Sequence, residues 1–378
     1  MVLALAAAGA GSYVALRSSP TPAAQVVRSG GHKSSTTTSS AVHHAPPRAL
    51  HVVSITPRNG SAGVDGAGQV SITFSAPVAR NSPMPTLSPS VPGTWSASGS
   101  TLTFSPAQPF VPLSQVKLVI PAGSQGPTGT QGGTLAARVV EKFTVANGST
   151  LRLQQLLSIL DYSPLAWQPS STPIAATDTT AQLQAMYSPP AGSFSWRNSG
   201  WPSQLVALWK PGRYNVFTRG LVMSFQADHG LIVNGTPTPS LWSSLIQTVA
   251  SGVVNTGGYN YAIGNKVPPE SLTVWHNGTV VLHSEANTGI PQSPTQAGTY
   301  PVFARYRNQV MRGTNPNGTS YADPVQFVAY FHGGDAVHYF PRAAYGIPQS
   351  LGCIELPLSA AAQAWPYLAY GTLVTVLN

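Results

Sequence analysis

The residues best suited to covalent chemistry lie near the C-terminus, in the stretch YFHGGDAVHYFPRAAYGIPQSLGCIELP (330–357). It contains Cys353, the only cysteine among 378 residues, and two histidines upstream of it, His332 and His338. One cysteine rules out an intramolecular disulfide. By itself such a residue can be a small buried apolar side chain or a nucleophile, so its neighbours must decide between the two interpretations.

Gly352 and His338 give Cys353 the surroundings that a nucleophilic thiol requires. Such a thiol needs a base and backbone N–H groups that receive a developing oxyanion. Gly352 lets the main chain approach a substrate closely, so Gly352-Cys353-Ile354 can direct consecutive N–H groups into one pocket. His338 follows an apolar run that predicts a strand end, and it can therefore face the cysteine at the tip of the next segment.

A metal site is the weaker alternative for this stretch. Besides the cysteine it offers four side chains of ligating type, namely His332, Asp335, His338 and Glu355. No tight C-x-x-C or H-x-x-x-H spacing is present among them. We therefore expect no bound metal, and the cysteine chemistry requires no cofactor.

The wider pattern resembles the L,D-transpeptidase catalytic domain of the YkuD type. SLTVWHNGTVVLHSEANTG…SPTQAGTYPV and FHGGDAVH…SLGCIELP follow that family's order of motifs. The resemblance covers residues 268–378 and implies a C-terminal, β-rich catalytic domain. The shared positions are Gly289, Thr295, Gly298, Gly333, Gly334, His338, Ser350, Gly352 and Cys353.

The resemblance implies a role for each site residue. Cys353 is the nucleophile and His338 its general base. Gly352 and Cys353 lend backbone N–H groups to an oxyanion hole, and Ser350 shapes that loop. Three further residues are implied as substrate contacts: His332, Gly333 and Gly334.

Two positions depart from the family pattern. Leu351 stands where many members have His, and Glu355 stands where Arg or Asn is usual. The second departure reverses a charge beside the thiol. A carboxylate there is expected to raise the pKa of the thiol or to alter substrate preference.

The function implied by the resemblance is that of a peptidoglycan L,D-transpeptidase, active in cell-wall biogenesis and cell shape. Cys353 attacks the carbonyl joining the third residue of a stem tetrapeptide to its terminal D-Ala, and an amine resolves the thioester into a 3→3 cross-link. Resolution by water makes the same site an L,D-carboxypeptidase. A decayed site leaves a non-catalytic cell-wall-binding scaffold, and Leu351 and Glu355 are the residues that favour it.

The sequence predicts that the elements positioning these residues are mainly strands. SLTVWHNGTVVL predicts strand, turn and strand, because Asn-Gly readily takes positive φ at both turn positions. QFVAYFHGG, AVHYF and TLVTVL are further apolar runs of strand type. Together with the upstream segments they predict a multidomain, mainly β protein.

The segment 51–147 resembles the bacterial Ig-like domains of surface and wall proteins. Its short runs alternate with period two, as in Val70, Ile72 and Phe74, and Gly, Pro and Ser turns separate them. This pattern predicts a small β-sandwich. No catalytic group falls in it, so we expect a spacer.

The segment 148–255 resembles the three-helix peptidoglycan-binding domain. LQQLLSILDY and FQADHGLIVNGTPTPSLWSSL carry the likeness, and about 50 residues (165–214) rich in Pro, Ser and Trp interrupt it. The alternative is a small helical packing domain with no ligand.

Composition and the N-terminus predict a location outside the cytoplasm, in the cell wall or anchored to the membrane and facing the wall. Lys and Arg exceed Asp and Glu by 19 to 10, which favours an anionic wall polymer. The basic residues are scattered, so we expect no nucleic-acid partner. Residues 1–16 read as part of an export signal or membrane anchor, and 17–50 as a disordered Ser/Thr/Pro linker. We expect a monomer that acts on peptidoglycan stem peptides.

Overall fold

The computed structural model describes residues 48–378. The expected anchor (1–16) and nearly all of the expected linker (17–50) lie outside the described residues. Leu50 is buried and bridges to Leu135. The folded part therefore begins before the boundary at 51 that the composition suggested, because Leu50 belongs to a hydrophobic core rather than to the linker.

A two-sheet sandwich follows, as the Ig-like resemblance predicted. Its sheets have the orders β1-β2-β5-β4 and β3-β6-β7. Val70, Ile72 and Phe74 are buried between the sheets, which confirms their period-two assignment. The strands are β1 (Val52–Thr56), β2 (Val70–Phe74), β3 (Thr86–Ser88), β4 (Gly93–Ser98), β5 (Thr101–Pro106), β6 (Gln115–Ile120) and β7 (Val139–Thr144).

The middle of the chain is mainly helical and carries one two-stranded hairpin. The segment 165–214, which interrupts the helical pattern, folds as that hairpin and two short helices. The helical core continues into Tyr261 and Leu373 of the following sheet. The elements are α1 (Thr150–Ile159), β8 (Leu165–Pro169), α2 (Thr179–Tyr187), β9 (Gly192–Trp196), α3 (Ser203–Leu208), α4 (Val216–Asp228) and α5 (Pro239–Ser251).

Two sheets and one helix make up the C-terminal part. The elements are β10 (Asn260–Asn265), β11 (Ser271–His276), β12 (Thr279–Glu285), β13 (Gly298–Pro301), β14 (Ala304–Thr314), β15 (Ser320–His332), β16 (Asp335–Tyr339), β17 (Ile354–Leu356), α6 (Leu358–Ala364) and β18 (Leu373–Leu377). The sheet orders are β12-β11-β10-β18-β13 and β14-β15-β16-β17. Since β10 lies between β11 and β18, the first sheet starts before residue 268, the start that the resemblance implied.

Local turn chemistry agrees with the sequence. Asn277 and Gly278, between β11 and β12, have φ of 48° and 81°. The mainly β, multidomain architecture is thus confirmed. Within residues 48–378, no helix combines the length and the apolar character that a bilayer crossing requires.

Candidate active site

Parallel pairing of β16 with β17 brings the candidate base and nucleophile to one side of a sheet. His338 lies opposite Glu355, and Val337 lies opposite Ile354. Side chains alternate along a strand, so Cys353, two residues before Glu355, projects to the same side as Glu355 and His338. Residues that are 15 positions apart in sequence therefore share one surface.

That surface borders a cleft of about 830 Å³. Gly334, His338 and Cys353 line it, and so does Leu351. The long hairpin β14–β15 also lines it, through residues such as Tyr321. A cleft of this volume accommodates a peptide segment rather than a single ion.

The side chain of Ser350 holds the loop that precedes Cys353. Ser350 Oγ donates to the Cys353 carbonyl at 2.6 Å and accepts from Gly352 N–H at 3.2 Å. The Gly352 amide is therefore already engaged. The Cys353 amide has no hydrogen-bond acceptor among residues 48–378. Of the two donors that the family resemblance implied for an oxyanion hole, only the Cys353 N–H is free.

Position 352 requires glycine for two reasons, its backbone conformation and the lack of room for a side chain. Its φ is +115°, a region that side-chain-bearing residues rarely adopt. A Cβ at this position would overlap Asp335 Oδ1. The turn into Cys353 therefore depends on the missing side chain.

A buried carboxylate anchors the other flank of the loop. Glu270 accepts from the Thr288 amide at 2.5 Å and from the Thr288 hydroxyl at 2.7 Å. The Thr288 carbonyl in turn accepts from the amides of Gln349 and Ser350, each at 2.9 Å. Glu270 thus fixes a segment that fixes the cysteine loop, and sequence reasoning missed it because no motif marks it.

His338, the candidate base, lies in surroundings that disfavour its charged form. It is only 2% exposed, and its Nδ1–H donates to the Tyr339 carbonyl at 3.0 Å. That bond selects the tautomer in which Nε2 has a free lone pair. Burial lowers the pKa of His338, and the bond to Tyr339 and the charge of Glu355 oppose that shift. The imidazole is therefore uncharged near neutral pH.

Cys353 rests as a thiol rather than a thiolate. Cys353 is partly exposed and lines the cleft. Burial raises the pKa of Cys353 to about 12, Asp335 and Glu355 add to the rise, and the Ala336 amide opposes it. Its Sγ lies 3.7 Å from the Gly334 carbonyl oxygen. A reaction at this sulfur would therefore require transfer of its proton to a base.

Glu355 has a partner that the motif comparison did not reveal. Arg342 Nε and Nη2 donate to its two carboxylate oxygens at 2.7 and 2.8 Å. The charge reversal inferred from sequence is therefore balanced by a cation in direct contact, although Glu355 still acts on the pKa values of Cys353 and His338. The available sequence signal was that Arg342 is the only basic residue between His338 and Cys353.

Not all residues of the glycine turn before β16 line the cleft. Gly334 lines the cleft, whereas His332 and Gly333 do not. His332 Nδ1 lies 3.4 Å from Asp335 Oδ2, and its ring packs on Tyr300 with centroids 4.4 Å apart. Within residues 48–378 no group of three or more His, Cys, Asp or Glu side chains is arranged to hold a metal ion.

Two family models match the chain. Residues 259–376 match the L,D-transpeptidase catalytic domain of the YkuD type, and residues 46–145 match the bacterial Ig-like domain. The C-terminal part is thus an L,D-transpeptidase-type catalytic domain, and the N-terminal sandwich is a bacterial Ig-like domain. The first match includes β10, which the motif comparison had left out.

Several solved structures of L,D-transpeptidases are similar to this chain. One from Mycobacterium smegmatis is 14% identical, with a TM-score of 0.30, over 88% of this chain and 100% of that chain. L,D-transpeptidase 3 from Mycobacterium tuberculosis is 14% identical, with a TM-score of 0.30, over 86% and 98%. The catalytic domain of the E. faecium enzyme is 26% identical, with a TM-score of 0.29, over 31% and 96%. Among curated proteins, none matches the sequence significantly.

Proposed function

We propose that this protein is an extracytoplasmic peptidoglycan L,D-transpeptidase that forms 3→3 cross-links through a thioester on Cys353. The observation that carries the proposal is the neutral His338. Its Nδ1–H is committed to Tyr339, and its Nε2 is left as a base on the sheet face that carries the cysteine. The catalytic-domain family match supports the same reaction class.

Acylation starts from the two neutral side chains. As the Cys353 sulfur attacks the carbonyl between the third stem residue and D-Ala, its proton passes to His338 Nε2. The oxyanion of the tetrahedral intermediate accepts a hydrogen bond from the free Cys353 amide. The C–N bond then breaks, and D-Ala takes the proton from His338 and leaves as a neutral amine, with the thioester remaining on sulfur.

Resolution of the thioester uses the same groups in reverse. An acceptor amine gives a proton to His338 Nε2 as its nitrogen attacks the thioester carbonyl. The Cys353 sulfur leaves and regains that proton, and a peptide bond joins two stems. If water is the acceptor, the product is a shortened stem peptide and the enzyme is an L,D-carboxypeptidase.

The decisive experiment supplies disaccharide-tetrapeptide and follows the products by mass spectrometry. A dimer that has lost one D-Ala indicates transpeptidation, and a tripeptide monomer indicates carboxypeptidation. The control is Cys353→Ala, which should form neither product. If the wild-type protein leaves the substrate intact and still sediments with insoluble peptidoglycan, the enzyme proposal is wrong and the scaffold alternative stands.

The segments before the catalytic domain are suited to holding that domain at the cell wall. We propose that the Ig-like domain acts as a spacer and that residues 148–255 add wall affinity. The net charge of +9 favours contact with an anionic wall polymer. Location outside the cytoplasm and a monomeric state belong to the same proposal.

A further inference from the structure

A buried ion pair lies in the cleft beside the reacting groups. The Glu355 side chain is 6% exposed and the Arg342 side chain 28%. A buried carboxylate requires a partner, and the two parallel N–H···O bonds from Arg342 supply it in a fixed geometry. Both side chains line the cleft that holds Cys353 and His338.

Contacts with three residues hold Arg342, and some of its N–H donors remain unused. Besides the two bonds to Glu355, its Nη2 donates to the Gln349 carbonyl at 3.2 Å, and its guanidinium lies 4.6 Å above the Phe340 ring. Its Nη1 has no acceptor among the described residues. The result is a rigid cation in the cleft with two N–H groups unused.

We propose that Arg342 binds a carboxylate of the donor stem peptide through Nη1 and that Glu355 is the positioning residue that holds the guanidinium in place. The inference rests on the function proposed above and adds a specificity determinant to it. A stem peptide offers carboxylates of two sources, the terminal group of D-Ala and a side-chain group on the third residue. The chemistry of recognition, a charge-assisted hydrogen bond from a guanidinium, is the same for both.

The position of Glu355 explains why this anchor comes from residue 342. Residue 355 lies directly opposite His338 in the parallel pair, so a cation placed there would lie next to the base. With Glu355 at this position, the positive charge is carried by a side chain of the loop that follows β16. The anchor is thereby displaced from the imidazole, while the ion pair stays neutral overall.

The test is a donor-charge comparison in Arg342→Gln. Tetrapeptide donors are prepared with both carboxylates free, with the terminal group amidated, and with the side-chain group amidated. For the wild type, amidation at the recognised position should lower kcat/KM about 10- to 100-fold, mainly through KM, as expected for one or two charge-assisted hydrogen bonds. In Arg342→Gln, the acid and the corresponding amide should react within about twofold of each other.

Two further variants distinguish a specific loss of carboxylate recognition from a general loss caused by misfolding. Arg342→Gln leaves Glu355 buried without a partner, so the double variant Arg342→Gln/Glu355→Gln removes both charges and should also lose discrimination. Arg312, an exposed arginine of β14 that lines the same cleft, is the matched control. Arg312→Gln should keep the wild-type ratio of acid to amide.

The outcomes separate this inference from the proposed function. If the wild type uses none of the donors, the proposed function is wrong. If the wild type uses the free acid but both Arg342 variants retain its acid-to-amide ratio, or if Arg312→Gln abolishes that ratio, the carboxylate anchor is not Arg342 and this inference is overturned.

Discussion

Replacing Gly352 by alanine tests how the cysteine loop is built. The substitution adds one methyl group at a residue whose φ is +115° and whose Cβ would overlap Asp335 Oδ1. The Gln296 amide and His332 Nδ1 both approach Asp335 Oδ2 at 3.4 Å, so turning the carboxylate away from a new Cβ breaks two weak contacts. The carboxylate must therefore turn away, and the backbone at 352 must in addition accept a side chain at positive φ.

The expected cost follows from these two conflicts. A non-glycine residue in so sparsely populated a backbone region costs about 1–3 kcal/mol. Displacing Asp335 from its weak hydrogen bonds adds roughly 0.5–1.5 kcal/mol. We expect Gly352→Ala to lower the free energy of unfolding by about 2–4 kcal/mol. Because the amide of Cys353 would shift with the loop, acylation should also fall on the order of 100-fold.

The assay combines chemical denaturation with the rate of acylation by the tetrapeptide donor. The matched control is Gly333→Ala, whose φ of +51° is also positive but whose added Cβ meets no atom within 4 Å. It should cost only about 1–2 kcal/mol and keep most of the activity. Asp335→Ala in the Gly352→Ala background should recover the steric part of the loss.

A Gly352→Ala protein with wild-type stability and rate would refute this reasoning. So would a Gly333→Ala protein that is impaired to the same degree. Either result would mean that the backbone at 352 is not held by Asp335 and that the loop adjusts to a side chain at little cost.

Four further predictions concern the base, its titration, the protonation of the thiol and the upstream domains. His338→Ala should lose about 10²–10⁴-fold in acylation rate, whereas His332→Asn should stay near wild type, and the reverse result would reassign the base. Burial lowers the pKa of His338, so the base form should persist below the ordinary value of 6.5 and acylation should fall only in more acidic buffer. Below that value the unfolded chain binds a proton that the folded one does not, so the free energy of unfolding should fall as pH drops, and less steeply in His338→Ala. At pH 8 the thiol of Cys353 should show no thiolate absorbance, since its pKa is raised to about 12. Deleting 151–250 should weaken sedimentation with peptidoglycan, deleting 51–147 should not, and equal binding by the isolated catalytic domain would contradict this.

Local sequence patterns determined which strand face is buried, where one hairpin turns and which family the catalytic domain matches. Alternation along Val70, Ile72 and Phe74 fixes which face of β2 is buried, because side chains of a strand point to opposite sides with period two. The Asn277-Gly278 pair determines its own hairpin, since both residues tolerate positive φ. The ordered motif around His338 and Cys353 was sufficient to predict the catalytic-domain family, which the family match bears out.

Only the tertiary structure decided the electrostatics of the site. Whether Glu355 is a bare charge or half of an ion pair depends on Arg342, which meets it through chain folding and not through any spacing rule. The protonation of Cys353 depends on burial, a property of everything packed around the sulfur. Ser350 engages the Gly352 amide, so one donor remains free where the motif implied two. Such facts arise from contacts between distant segments and from desolvation, and one-dimensional patterns contain neither.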